Sequence, residues 1–160
     1  MPNGHCYRLV LVGVAAQPVK CPNDIVFVLD ESGSIGPSNF GLMTSFVSQL
    51  VAGLDIDSGN TRIGLVTYST NVGTGFNLSA HSSVASVQAA ISSLTYSGGE
   101  TNTAAALAHV RTTMLTSVAG DRSNVPNVVV VLTDARSSDP TSTSVSIEHS
   151  YSINNFAETR

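Results

Sequence analysis

Five apolar residues, Ile25 to Leu29, follow one another without alternation, and Asp24 and Asp30 bracket them. Such a run reads as a strand buried on both faces. Beyond Gly36, Pro37 and Ser38 suit a helix start. Phe40, Met43, Phe46, Val47, Leu50, Val51 and Leu54 then recur at helical spacing. Residues 55–60 form a loop, and 61–69, rich in β-branched and aromatic side chains, predict a second strand. Residues 71–79 read as a turn and a short edge strand. Val84, Val87, Ala90, Ile91 and Leu94 make 83–94 an amphipathic helix. After a loop at 95–100, a helix is expected over 103–116, with Ala104 to Leu107, Val110 and Met114 on its apolar side. A loop at 121–127 leads to a buried strand, 128–134, which ends on Asp134.

Buried strands alternating with amphipathic helices predict an α/β domain with a mostly parallel central sheet flanked by helices. In such folds the functional crevice lies beyond the carboxyl ends of the strands. Two of those ends carry an aspartate, Asp30 and Asp134, and a polar loop around Thr101 precedes a helix. All three can meet at one end of the sheet.

At 160 residues and 16.6 kDa the chain holds one domain's worth of material. Apolar residues make up 42%, enough for a substantial core, whereas charged residues are only 11%, against a usual quarter or so. The polar surface must come from Ser, Thr, Asn and Gly, a balance commoner outside the cell than inside it. The net charge is −4, and Lys20 is the only lysine. No basic patch exists, which excludes nucleic acid as a partner. No apolar run reaches the roughly 18–20 residues that span a bilayer. Residues 1–20 read either as a signal-like leader, with Arg8 before a short apolar stretch ending near Ala16, or as a linker from an upstream domain. Cys6 and Cys21 lack metal-ligand spacing; they pair across a short loop, or Cys21 pairs elsewhere once a leader is removed.

Asp30, Ser32 and Ser34 form an Asp-x-Ser-x-Ser spacing on a strand-to-helix turn. Alternate positions of an extended segment point the same way, so one carboxylate and two hydroxyls converge. Hard oxygen donors of this kind suit Mg²⁺, Mn²⁺ or Ca²⁺ rather than zinc. Largely neutral donors leave much of the ion's charge uncompensated, and that favours an incoming carboxylate from a partner. Alone the spacing is weak, because serines after a strand are often turn formers or helix caps. Here it coincides with a buried strand before it, with "GGETNT" at 98–103 and with "VVVVLTD" at 128–134.

Through "DIVFVLDESGSIG", "RIGLVTYS", "GGETNTAAAL" and "NVVVVLTDARSSD" the chain resembles the von Willebrand factor type A domain, or integrin I domain, over about residues 21–139. The resemblance implies a Rossmann-like sheet flanked by helices, with a metal-ion-dependent adhesion site at its top. It implies direct ligation by Ser32 and Ser34, and Thr101 and Asp134 alternating between direct and water-mediated roles. Asp30 would act through water and orient the serine hydroxyls. The open position would take an acidic side chain of an extracellular matrix protein, collagen or similar. The chain is expected to be secreted, and not an enzyme. Two departures from the family stand out. Ala135 follows Asp134 where the family has glycine, and the last strand and helices are expected to be missing, with 140–160 a divergent polar tail. In the family a cysteine before the first strand pairs with one after the last helix; Cys21 would be the first, without its partner.

His5, His81, His109 and His149 lack metal spacing and read as surface or packing residues. Asn77-Leu78-Ser79 is an N-glycosylation sequon, relevant to a secreted chain. Asp55 and Asp57 lack the rest of a calcium loop, and Glu100 stands at the rim of the expected site. Two other functions compete. An aspartyl phosphohydrolase would need a second Asp where Ser32 stands and a lysine after Lys20. A structural matrix domain or truncated fragment would have no functional metal site.

Overall fold

A computed structural model describes residues 22–134 and the backbone of Phe156–Thr159. Residues 1–21 with both cysteines, Ala135 and most of the polar tail lie outside the described residues. Strand β1 (Asn23–Asp30) leads to helix α1 (Gly36–Ala52), then β2 (Thr61–Tyr68) and β3 (Val72–Phe76). Helices α2 (Val84–Ser92) and α3 (Thr103–His109) follow, then a π-helical turn (Val110–Met114), a 3₁₀ turn (Ser117–Ala119), β4 (Asn127–Leu132) and β5 (Phe156–Thr159). The sheet order is β3-β2-β1-β4-β5. β1 runs parallel to β2 and β4, and β4 to β5, while β3 is antiparallel to β2. Asp30 stands opposite Tyr68, and Leu29 opposite Leu132, so the strands bring their polar ends to one level.

Alternate residues of the sheet feed two cores. Phe27, Leu29, Ile63 and Leu65 pack beneath α1 and α2 with Phe40, Val47, Val51, Val87 and Ile91. Val26, Val28, Val66, Tyr68, Val129 and Val131 pack on the other face against Ala106, Leu107, Val110 and Met114. This double coverage explains the unbroken apolar run of β1.

The structure corrects the sequence reading in three places. Phe46 and Leu50, expected in the core, are 48% and 42% exposed, with Leu42 beside them at 69%. The buried stripe of α1 is Phe40, Val47 and Val51, and Phe46 and Leu50 each lie one residue, about 100° around the helix, from it. The helix expected over 103–116 ends at His109, and Leu115 N–H then bonds the Val110 carbonyl at 2.9 Å. Thr112 there turns its hydroxyl onto the Ala108 carbonyl at 2.8 Å, the competition by which threonine weakens a helix. Finally, the segment 140–160, expected to be a divergent polar tail, contributes a short strand: Phe156–Thr159 pairs with β4 from Val129 to Leu132.

The foot of the sheet is tied by one arginine. Arg122 makes a 2.7 Å ion pair with buried Asp24 and donates to the carbonyls of Asn23, Gly59 and Asn60, each at 2.9 Å.

Candidate metal centre

At the head of β1 the backbone bends at once. Ser32 N–H donates to Asp30 Oδ1 at 2.8 Å, and Ile35 N–H to the Ser32 carbonyl at 3.2 Å. The segment is therefore a turn and not the extended run expected of alternate positions. Gly36, at φ 70°, lets the chain leave that turn into α1, a conformation that side-chain-bearing residues rarely adopt. The hydroxyls converge nonetheless. Ser32 Oγ and Ser34 Oγ are 3.2 Å apart, and Ser34 Oγ donates to Asp134 Oδ1 at 3.0 Å. Ser32 is buried, whereas Ser34 and Asp134 are exposed.

Asp30 is fully buried. Its second oxygen accepts from Thr133 Oγ1 at 2.6 Å and from the Tyr68 hydroxyl at 3.5 Å. The Tyr68 hydroxyl also meets Thr103 Oγ1 at 3.2 Å. Asp30 thus joins the heads of β1, β2 and β4, and through Tyr68 the start of α3. Burial pushes the Tyr68 hydroxyl up to about 12; the hydrogen bond to Thr103 works against this and the charge of Asp30 with it. Threonine and aspartate in "LTD" divide the work, because neighbours on an extended chain point apart: Thr133 holds Asp30, and Asp134 reaches Ser34.

Thr101 comes in on a loop fastened to the first one. Gly33 N–H donates to the Gly99 carbonyl at 2.8 Å, and Gly98 N–H to the Glu31 carbonyl at 3.0 Å. The Tyr96 hydroxyl reaches the Ser32 carbonyl at 3.1 Å. Gly99 has φ 112°, and a Cβ there would stand 2.7 Å from Thr70 Oγ1, so only glycine fits. Asn102 caps α3 through Ala105 N–H at 3.1 Å, which sets the 9%-exposed Thr101 just outside the helix. Glu100 is exposed at the rim.

The structure thus links Asp30, Ser32, Ser34 and Asp134, directly or through short bonds, and pins the Thr101 loop against them. Sequence reasoning missed Thr133, Tyr68 and Tyr96. Only Thr133 had a signal, its place between a buried strand and Asp134. Among the described residues no three His, Cys, Asp or Glu side chains gather, so a cation here depends on hydroxyl oxygens. The donors fit one. An octahedral ion with oxygens at about 2.0–2.1 Å sets neighbouring oxygens roughly 2.9 Å apart, close to the 3.0 and 3.2 Å observed.

Comparison with known proteins covers most of the chain. The model of the von Willebrand factor type A domain matches residues 24–157. The collagen alpha-4(VI) chain of Mus musculus is 42% identical over 120 residues, covering 74% of this chain and 5% of its own length. Von Willebrand factor A domain-containing protein 2 of Homo sapiens is 39% identical over 116 residues, covering 72% and 15%. The chain therefore spans a small part of each of these relatives. Proximal thread matrix protein 1 of the mussel byssus, solved with a zinc-occupied MIDAS motif, superposes with a TM-score of 0.76 at 22% identity. That match covers 82% of this chain and 36% of the mussel protein, and shows the shared fold. The relatives are secreted proteins of the extracellular matrix, and the chain's location is the same.

Proposed function

The chain belongs to the von Willebrand factor type A domain family, and from that premise we propose that it is a non-catalytic adhesion module of the matrix. Ser32, Ser34, Thr101 and Asp134 would hold a divalent cation, with Asp30 behind them. When bound, that cation offers a Lewis-acidic position to the carboxylate of a matrix partner, a collagen or a similar protein. The observation that carries the reading is the chain of close oxygens Ser32–Ser34–Asp134, at 3.2 and 3.0 Å.

The residues' own parts follow from their surroundings. Asp30 has its oxygens engaged by Ser32 N–H and Thr133; it positions the loop and faces no solvent. Ser34 and Asp134 are exposed and form the side a partner meets. The mussel protein's site takes zinc, but the donors here are all oxygen. Such hard donors suit Mg²⁺, Mn²⁺ or Ca²⁺.

Calorimetric titration of the full chain with Mg²⁺ tests the reading. Saturable binding is expected, together with its loss in Asp134→Ala and Thr101→Ala. Unchanged affinity in both variants would overturn it.

A further inference from the structure

We propose that Asn77 carries an N-linked glycan and that this glycan guards the open edge of the sheet at β3. The inference goes beyond the adhesion reading and does not depend on the metal centre. Asn77-Leu78-Ser79 is the only sequon in the chain, and the chain is secreted. Leu78 is fully buried in the core beneath α3, while Asn77 and Ser79 on either side are exposed. The packing of Leu78 thus turns both sequon side chains outward, and the Ala80 N–H to Asn77 carbonyl bond at 3.0 Å closes the turn.

The edge beside it lacks the usual protection. β3 is the terminal strand on its side of the sheet, and Gly73, Thr74 and Gly75 are exposed. Residues 70–80 contain no charged side chain and no proline, the devices that keep free edges from pairing with another chain. Among the described residues, the five-residue length of β3 and a register shift between Val66 and Tyr68 are the other safeguards there. Next to the strand lies a cleft of about 270 Å³ lined by Gly75, Phe76, Asn77, His109, Thr113 and Met114. A glycan rooted at Asn77 stands over both edge and cleft.

The modification is a simple displacement. Asn77 Nδ2 attacks the anomeric carbon of a lipid diphosphate-linked oligosaccharide. The C–N bond forms, the C–O bond to the diphosphate breaks, and one amide proton leaves to a base; nothing is oxidised or reduced. The position also spares the metal centre. Phe76 pairs with Leu65, which pairs with Phe27, three residues before Asp30. Asn77 therefore sits about 10 Å or more down the strands and about 10 Å across them from the head of β1.

The test is secretion of the full chain from cultured animal cells behind an added leader. Intact mass before and after peptide N-glycosidase should fall by one oligosaccharide in the wild type. It should not change in Asn77→Gln or in Ser79→Ala, which keeps the asparagine. Light scattering should then show self-association of both unglycosylated variants. A wild-type mass that the glycosidase leaves unchanged overturns the proposal. A glycan whose removal leaves the chain as monodisperse as before overturns its guarding role.

Discussion

Asp30, itself fully buried, serves three donors: Ser32 N–H, the Thr133 hydroxyl and the Tyr68 hydroxyl. Removing its carboxyl in Asp30→Ala strands Ser32 N–H and the Thr133 hydroxyl, at a cost of about 3 kcal/mol. Urea unfolding of Asp30→Ala should show that loss, and Thr133→Val a smaller one of roughly 2 kcal/mol. Tyr68 gives the same knot a pH signature. Its hydroxyl loses its proton near pH 10 in the unfolded chain and at about 12 in the folded one. Between those values the folded state holds the extra proton, so stability is intact below about pH 10 and falls as pH rises, by roughly 2 kcal/mol at pH 12. Alkaline denaturation followed by tyrosinate absorbance should place the steep loss in that window; a flat stability there would refute the burial argument. The Asp-x-Ser-x-Ser spacing was readable because two-residue spacing is local. Thr133 and Tyr96 were not, since their bonds span 103 and 64 residues and exist only once strands and loops are brought together in the fold.

An element shows which of its apolar residues matter only once its inward direction is known. Along α1 periodicity alone admits both Phe40 and Phe46. The sheet beneath selects Phe40, 4% exposed, and leaves Phe46 at 48%. Phe40→Ala should therefore cost about 3–5 kcal/mol, and Phe46→Ala only about 0.5 kcal/mol; equal losses in thermal unfolding would contradict the helix rotation. Similar physics hid the end of α3. Val110 and Met114 keep helical spacing and stay buried, so their pattern outlasts the change from α to π hydrogen bonding. β5 was illegible for another reason. Its four residues, "FAET", are too short and mixed to show a period, and pairing with β4 defines them as a strand.

Across the whole molecule the candidate metal centre and the Arg122 clamp occupy opposite ends of β1. Seven residue steps from Asn23 to Asp30, at about 3.3 Å each, separate them by roughly 23 Å, and sites that far apart should contribute independently. Arg122→Met leaves Asp24 buried without its guanidinium, though the backbone N–H of residue 122 still donates to it, and should cost about 3 kcal/mol, while Mg²⁺ still stabilises the variant by the wild-type increment. That increment is about 2.7 kcal/mol at a hundred times Kd. Asp134→Ala should do the reverse. Asp134 is exposed and, among the described residues, makes one side-chain bond, to Ser34, so metal-free stability should move by about 0.5 kcal/mol or less and the Mg²⁺ increment should vanish. Thermal unfolding of the two single variants and the double, with and without Mg²⁺, gives all the needed differences. If the double variant departs from the sum by more than about 0.5 kcal/mol, foot and head are coupled through the sheet, and cation binding at one end would then be felt by whatever the other end touches.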